Sequence, residues 1–328
     1  MTLPYPACTH RPSTGTDDEG PTPVRARRRL LMLLPCLWPV PGLLASGDAA
    51  AQSSGARDDA WVAAVQMPAW IERAGVRTPL SPGTVLRIGD VVLTGAGGRA
   101  QVRLAEGSLV RLGESGRLAL SDLRVARGPS TVLSGLLDIA QGAFRFTTAV
   151  VQRASSERDL QVRIATVTVG VRGTDLWGRG TAEREIVCLI EGRITVTRGN
   201  EAPIEMNDPL SFFIAPTGAP ALPVAPVDAQ QLAQWTRDTD PVAGAGAAVP
   251  GGRWRVSVLR SDDQEEALKS FDALREAGFD ARIRSTRSDA GATYEVRIGN
   301  LSTQAEARGL ARRLAGQPGV SGEPQVGR

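Results

Sequence analysis

Residues 294–316 read YEVRIGNLSTQAEARGLARRLAG, and residues 254–278 read WRVSVLRSDDQEEALKSFDALREAG. Laid on each other, Trp254, Val256, Val258, Glu266, Ala267 and Leu274 fall forty positions before Tyr294, Val296, Ile298, Glu306, Ala307 and Leu314. Each copy opens with apolar residues at every second position, the period of a half-buried strand, and continues with apolar residues at helical spacing. Helices are predicted over 262–277 and 303–315, with stripes of Leu268, Phe271 and Leu274 in one and Ala307, Leu310, Ala311 and Leu314 in the other. Ser261 with Asp262, and Ser302 with Thr303, supply N-cap candidates, while Gly278 and Gly316 supply stops. A further strand in "ARIRS" and a short one near 319–326 complete β-α-β-β-α-β, the α+β split βαβ pattern, over residues 251–328.

Both apolar stripes need the same side of a four-stranded sheet, so the other side is left open. With Trp254, Val256 and Val258 toward the helices, Arg255, Ser257 and Leu259 point outward. By the same alternation Ile283 points inward and Arg282 and Arg284 outward, and Tyr294, Val296 and Ile298 leave Thr293, Glu295 and Arg297 on the open side. Arg255, Ser257, Arg282, Arg284, Glu295 and Arg297 are therefore the candidate ligand-binding residues. Guanidinium forks beside serine and glutamate suit a ligand rich in hydroxyl and carbonyl groups. The topology also serves RNA-binding domains, which stack bases on outward aromatics. Here Trp254 and Tyr294 take the inward phase, so no nucleic-acid partner is expected.

Residues 60–217 read differently. Short alternating segments such as "AQVRLAEG", with Ala100, Val102 and Leu104 on one face and Gln101 and Arg103 on the other, recur between glycine turns. Gly97-Gly98, Glu106-Gly107 and Glu191-Gly192 sit at hairpin spacing. This half is predicted all-β, a sandwich, jelly roll or similar closed architecture, although periodicity alone leaves a stacked β-helix open. Residues 218–250, rich in proline, alanine and glycine, read as an extended linker, with one short helix from Asp228 to Trp235 that packs Leu232 and Trp235 back on the β domain.

Residues 1–51 read as a leader. Arg25, Arg27, Arg28 and Arg29 precede the apolar run 30–38, and Ala49, Ala50 and Ala51 follow, the order of a secretory signal. That run is too short to cross a bilayer, which takes about twenty residues. Export and cleavage near Ala51 are expected, the alternative being an uncleaved anchor; Pro35 before Cys36 argues against lipoprotein processing.

Cleavage would remove Cys8, Cys36 and His10, the only histidine. The mature chain could then build no Ser-His-Asp or Cys-His arrangement and would lack the commonest zinc ligand. No phosphate loop, G-x-S-x-G elbow or C-x-x-C pair occurs. Carboxylate-only catalysis needs two acids across a cleft, and the acids here are scattered. No catalytic residue, metal, cofactor or small-molecule substrate is predicted. Cys188, in "REIVCLIEG", reads as a buried small hydrophobe. The net charge of +3, carried almost entirely by arginine, is too small to argue for a nucleic-acid partner.

The final segment resembles the SPOR family, the sporulation-related repeat, on "WRVSVLRSDDQEEALKSFDALREAGFDARI" and "YEVRIGNLSTQAEARGLARRLAG". The resemblance implies binding of peptidoglycan glycan strands that have lost their stem peptides, through the open sheet face. Ser257 stands where the family often has glutamine, and Leu259 and Ser261 where glycine and an aromatic usually follow. The β-rich half resembles a FecR domain, on "PGTVLRIGDVVLTGAGGRAQVRLAEGSLVRLG" and the Val-Arg-Gly-Thr signature in "TVTVGVRGTDLW". Gly173 permits a positive φ there, and Arg172 can reach Asp175 or a strand-end carbonyl. Arg172, Thr174 and Trp177 are the candidate protein-binding residues. FecR proteins pass an outer-membrane signal to a cytoplasmic sigma factor; with no anti-sigma segment before the leader and no spanning helix after it, that role is not expected here.

The sequence thus predicts an exported, non-enzymatic protein of the periplasm or cell envelope. Its partners would be peptidoglycan glycan strands and another envelope protein. The alternative is a signalling or scaffold protein whose two modules both bind proteins.

Overall fold

The computed structural model describes residues 60–127, 131–149, 159–289 and 291–328; the leader and its cleavage site lie outside the described residues. The all-β half is a sandwich of two sheets. In the first, Ala60–Gln66, Arg99–Leu104, Leu109–Leu112, the C-terminal part of Thr131–Thr147, Asp175–Gly180, Arg184–Glu191 and Ser211–Pro216 pair antiparallel in that order. In the second, Val76–Pro79, Ala69–Arg73, Val91–Thr94, Arg117–Arg127, the N-terminal part of Thr131–Thr147, Asp159–Ile164, Val167–Val171, Ile194–Arg198 and Ile204–Met206 follow one another. The strand Thr131–Thr147 belongs to both sheets and joins them. Its pairing with Asp159–Ile164 is parallel.

Alternation places one face of each strand in a shared core. Val102, Val110, Phe146 and Leu176 from one sheet pack in the same cluster as Val92, Leu118, Val162, Val169 and Val196 from the other. The turn at Glu106-Gly107 closes a hairpin, as expected. Gly97-Gly98 and Glu191-Gly192 do not: each carries the chain from one sheet to the other. A glycine turn permits either outcome, and only the partner strands decide which.

The segment read as an extended linker is folded, and the short helix expected within it is present. Ala225–Pro226 adds to the first sheet, and helix α1, Ala229–Arg237, lies on that sheet's outer face. Asp228 caps α1 by accepting from the backbone N–H groups of Gln230 and Gln231, both at 2.9 Å. Leu232 and Trp235 pack on Ala143, Trp177, Ile186, Cys188 and Val227, a second small core. The proline and glycine that suggest an open chain serve here to turn a segment held by its contacts.

The C-terminal region has the predicted order: Trp254–Ser261, helix α2 (Gln264–Glu276), Ala281–Ser288, Gly291–Leu301, helix α3 (Gln304–Leu314) and Gln325–Gly327. The four strands stand in the order Ala281–Ser288, Gly291–Leu301, Trp254–Ser261, Gln325–Gly327, all antiparallel. Asp263 rather than Ser261 or Asp262 caps α2, and Thr303 caps α3 as expected. The buried stripe of α2 is Ala267, Ser270 and Leu274; Leu268 faces solvent.

Candidate functional site

Helices α2 and α3 pack on one side of the C-terminal sheet. Ala267, Leu274, Ala307, Leu310 and Leu314 join Val256, Val296 and Ile298 in the core. Trp254 and Tyr294 pack against that core, and the Tyr294 hydroxyl bonds Gln264 of α2 at 3.1 Å, so the inward phase of these aromatics is observed. No outward aromatic is left from this pair to stack a base.

On the helix-free side two rows cross the sheet. Arg282 stands opposite Arg297, Arg297 opposite Ser257, and Ser257 opposite Gln325. Beside them, Arg284 stands opposite Glu295 and Glu295 opposite Arg260. Glu295 is the hub. It accepts a hydrogen bond from the Ser257 hydroxyl, and its carboxylate oxygens lie 3.8 Å from Arg260 and 3.9 Å from Arg297. Arg282 pairs instead with Asp280, at 3.3 Å. A groove of about 410 Å³ runs along this side, lined by Arg255, Ser257, Arg260, Glu295, Glu323 and Gln325. Guanidinium and amide groups of Arg255, Arg260 and Gln325 line it together with two carboxylates, Glu323 and the paired Glu295.

Leu259 departs from its expected outward position. The strand Trp254–Ser261 carries an extra residue at Val258, so Ser257 opposes Arg297 but Leu259 opposes Val296. A bulge of this kind shifts the alternation by one. Leu259 is thereby buried, and Arg260 takes the open side in its place. Arg260, Glu323 and Gln325 are members of the groove that alternation misses. The consecutive apolar pair Val258-Leu259 was the available signal for the first.

The Val-Arg-Gly-Thr signature is placed otherwise than expected. Gly173 has φ +70°, as anticipated, and Arg172 is exposed. Thr174 and Trp177 are fully buried, which takes both out of any surface they were expected to offer a partner. Thr174 exchanges backbone-side bonds with Thr148, and Trp177 lies beneath α1 with its ring stacked on Trp235, centroids 4.8 Å apart. The strand Asp175–Gly180 is covered on both faces, by the sandwich core and by α1, so alternation does not mark an outward side. Asp175 is held not by Arg172 but by Arg145, whose two guanidinium nitrogens bond it at 2.9 and 2.7 Å. That bonding holds the Arg145 guanidinium above its ordinary range against the effect of burial.

Cys188 is fully buried, opposite Trp177 and Phe212. Burial, with the Asp175 charge adding to it, pushes the thiol up to about 12, so it stays protonated and is no nucleophile. Among the described residues no group of three or more His, Cys, Asp or Glu could hold a metal ion, and no helix is long and apolar enough to cross a membrane.

Residues 250–322 match the SPOR domain model, and residues 90–195 match the FecR protein model. No curated protein matches the chain. Two crystal structures of a protein from Parabacteroides distasonis ATCC 8503, provisionally described as an anti-sigma factor, are similar to it. The first, at 1.65 Å resolution, has 20% identity and a TM-score of 0.35 over 44% of this chain, which spans 64% of that structure. The second, at 2.50 Å, has 15% identity and a TM-score of 0.36 over 62% of this chain and 96% of its own. The sandwich extends beyond the FecR match on both sides, from Ala60 to Pro216. With its mostly β half and its α+β end, the chain carries a FecR domain followed by a C-terminal SPOR domain.

Proposed function

We propose that this is an exported, non-enzymatic protein of the cell envelope that binds denuded peptidoglycan glycan strands through the helix-free face of its SPOR domain. The sandwich would then offer a protein-binding or sensing surface, with Arg172 the exposed member of its signature. The observation that carries the reading is the groove beside Glu295, which Arg255, Ser257, Arg260 and Gln325 line. Sugar rings present hydroxyl donors and acceptors and acetamido carbonyl acceptors, and a lining that mixes guanidinium and amide donors with carboxylate acceptors suits them. Arg297 fixes Glu295 from the neighbouring position, and Arg282 and Arg284 extend the face to its edge strand.

The test is retention of the full chain on isolated sacculi, either stripped of stem peptides by an amidase or left untreated. Retention on the stripped sacculi is expected to be the greater. Replacing Arg297 and Ser257 together by alanine should lower it several-fold, because Glu295 loses two of its partners and the channel its shape, while circular dichroism stays unchanged. Equal retention on both sacculi, unaffected by the substitutions, would favour the rival reading of an envelope signalling or scaffold protein whose modules both bind proteins. No sugar should be released on prolonged incubation.

A further inference from the structure

The sandwich and the SPOR domain fall in one compact unit, and residues 238–250 are bonded to both. This strap leaves α1 with Asp238 paired to Arg179 and Asp240 3.5 Å from Arg111, both arginines on the outer face of the first sheet. The backbone N–H of Val242 then donates to the Gln66 side chain at 3.0 Å. Two residues on, the same strap is held from the SPOR side. The buried carboxylate of Glu306, in the first turn of α3, accepts from the N–H groups of Gly244, Gly246 and Ala247 at 2.7, 2.7 and 2.8 Å. Arg313, from the last turn of α3, donates to the carbonyl of Ala245 at 2.9 Å.

The backbone continues the connection. Ala247–Ala248 pairs with Ala60–Gln66 of the sandwich on one side, and Ala248 pairs with Leu301 of the SPOR sheet on the other. Two glycines permit the close approach. A Cβ on Gly309 of α3 would run into the carbonyl of Gly244, and one on Gly278 would come within 2.5 Å of the Trp70 ring. Around that second contact the Trp70 indole N–H donates to the carbonyl of Glu276 at 3.2 Å, and Ala69 N–H to that of Gly278 at 3.0 Å.

We propose that residues 238–250 act as a latch, with Glu306 as its catch, that fixes the orientation of the sandwich on the SPOR domain. Anchoring at the SPOR face would then orient the sandwich on its support instead of merely tethering it there. Three charge-assisted bonds to one buried carboxylate are stronger than neutral ones, and removing their acceptor leaves three amides to be satisfied elsewhere. The latch does not depend on what the SPOR face binds, so failure of sacculus retention leaves it standing.

The experiment follows cleavage by elastase, which cuts after small apolar residues and finds Ala243, Ala245, Ala247 and Ala248 in the strap, together with small-angle scattering of the full chain from residue 52 onward. Wild-type protein is expected to resist cleavage in the strap and to scatter as a single rigid particle. Glu306→Ala should be cut there about tenfold faster and scatter as two jointed bodies. Gln66→Ala, which removes one of the strap's holds on the sandwich side, should shift both readouts in the same direction to a smaller extent and carries the test if Glu306→Ala does not fold. Wild-type scattering that requires freely moving modules, or substitutions that leave the cleavage rate unchanged, would overturn the proposal.

Discussion

Asp90 ties one corner of the sandwich. Its two oxygens accept from the Arg73 guanidinium at 2.8 and 2.6 Å and from the Arg87 N–H at 2.7 Å, on a side chain almost wholly buried. Burial works to raise the carboxyl, but those bonds and the two arginine charges outweigh it and hold it below the usual carboxylate range. A group whose folded value is depressed contributes stability that is present above the unfolded value, about 3.9, and lost as pH falls through the folded one. Asp90→Asn should therefore cost about 1.5–3 kcal/mol at neutral pH. Urea denaturation should show that gap narrowing below about pH 4; an equal gap at pH 3 and pH 7 would contradict this account of Asp90. None of it could be read from the sequence, because Arg73 and Asp90 meet only once two strands are paired. Cys188 is the opposite case. A thiol inside "REIVCLIEG" has apolar neighbours whichever way the strand turns, so its burial was legible.

At the level of elements, the two helices of the SPOR domain were legible from their apolar spacing and stops, with the α3 cap also as read, while the α2 cap and part of its stripe fall elsewhere. The phase of its first strand was not. Alternation assumes one residue per position, and the extra residue at Val258 breaks the count. Helix α3 shows a different limit. Thr303 and Glu306 have the spacing of a reciprocal cap, in which the glutamate turns back to its own helix start. Thr303 does its part and accepts from the Glu306 N–H at 3.2 Å, but the Glu306 carboxylate goes to the strap. Thr303→Ala should lower stability by about 1 kcal/mol and Thr303→Ser by much less, since serine restores the acceptor. Chemical denaturation checks the pair, and equal losses for both would mean that the cap contributes nothing.

For the molecule as a whole, the two halves and their classes were legible, and their joining was not. Within residues 218–250 the short helix that packs Leu232 and Trp235 on the β domain was legible, but the proline, alanine and glycine after it leave few side chains to announce a contact, and that stretch is held mostly through its backbone. The candidate face was legible in outline, with Arg255, Ser257, Arg282, Arg284, Glu295 and Arg297 on the side away from the helices. The Val-Arg-Gly-Thr residues were not, because what covers Trp177 arrives from some sixty positions later in the chain. A fragment of residues 60–217 would lose α1 and uncover Trp177, Ile186 and Cys188, an apolar patch without its cover. It is expected to self-associate in light scattering at concentrations where the full chain from residue 52 does not. A monomeric, soluble fragment would show that α1 is dispensable to the sandwich.

The stack of Trp177 on Trp235 has one more consequence. Two indoles with centroids 4.8 Å apart are close enough for their excited states to couple, and the near-ultraviolet circular dichroism is expected to change when the helix leaves its sheet. Such a change would follow the docking of the helix without any attached dye.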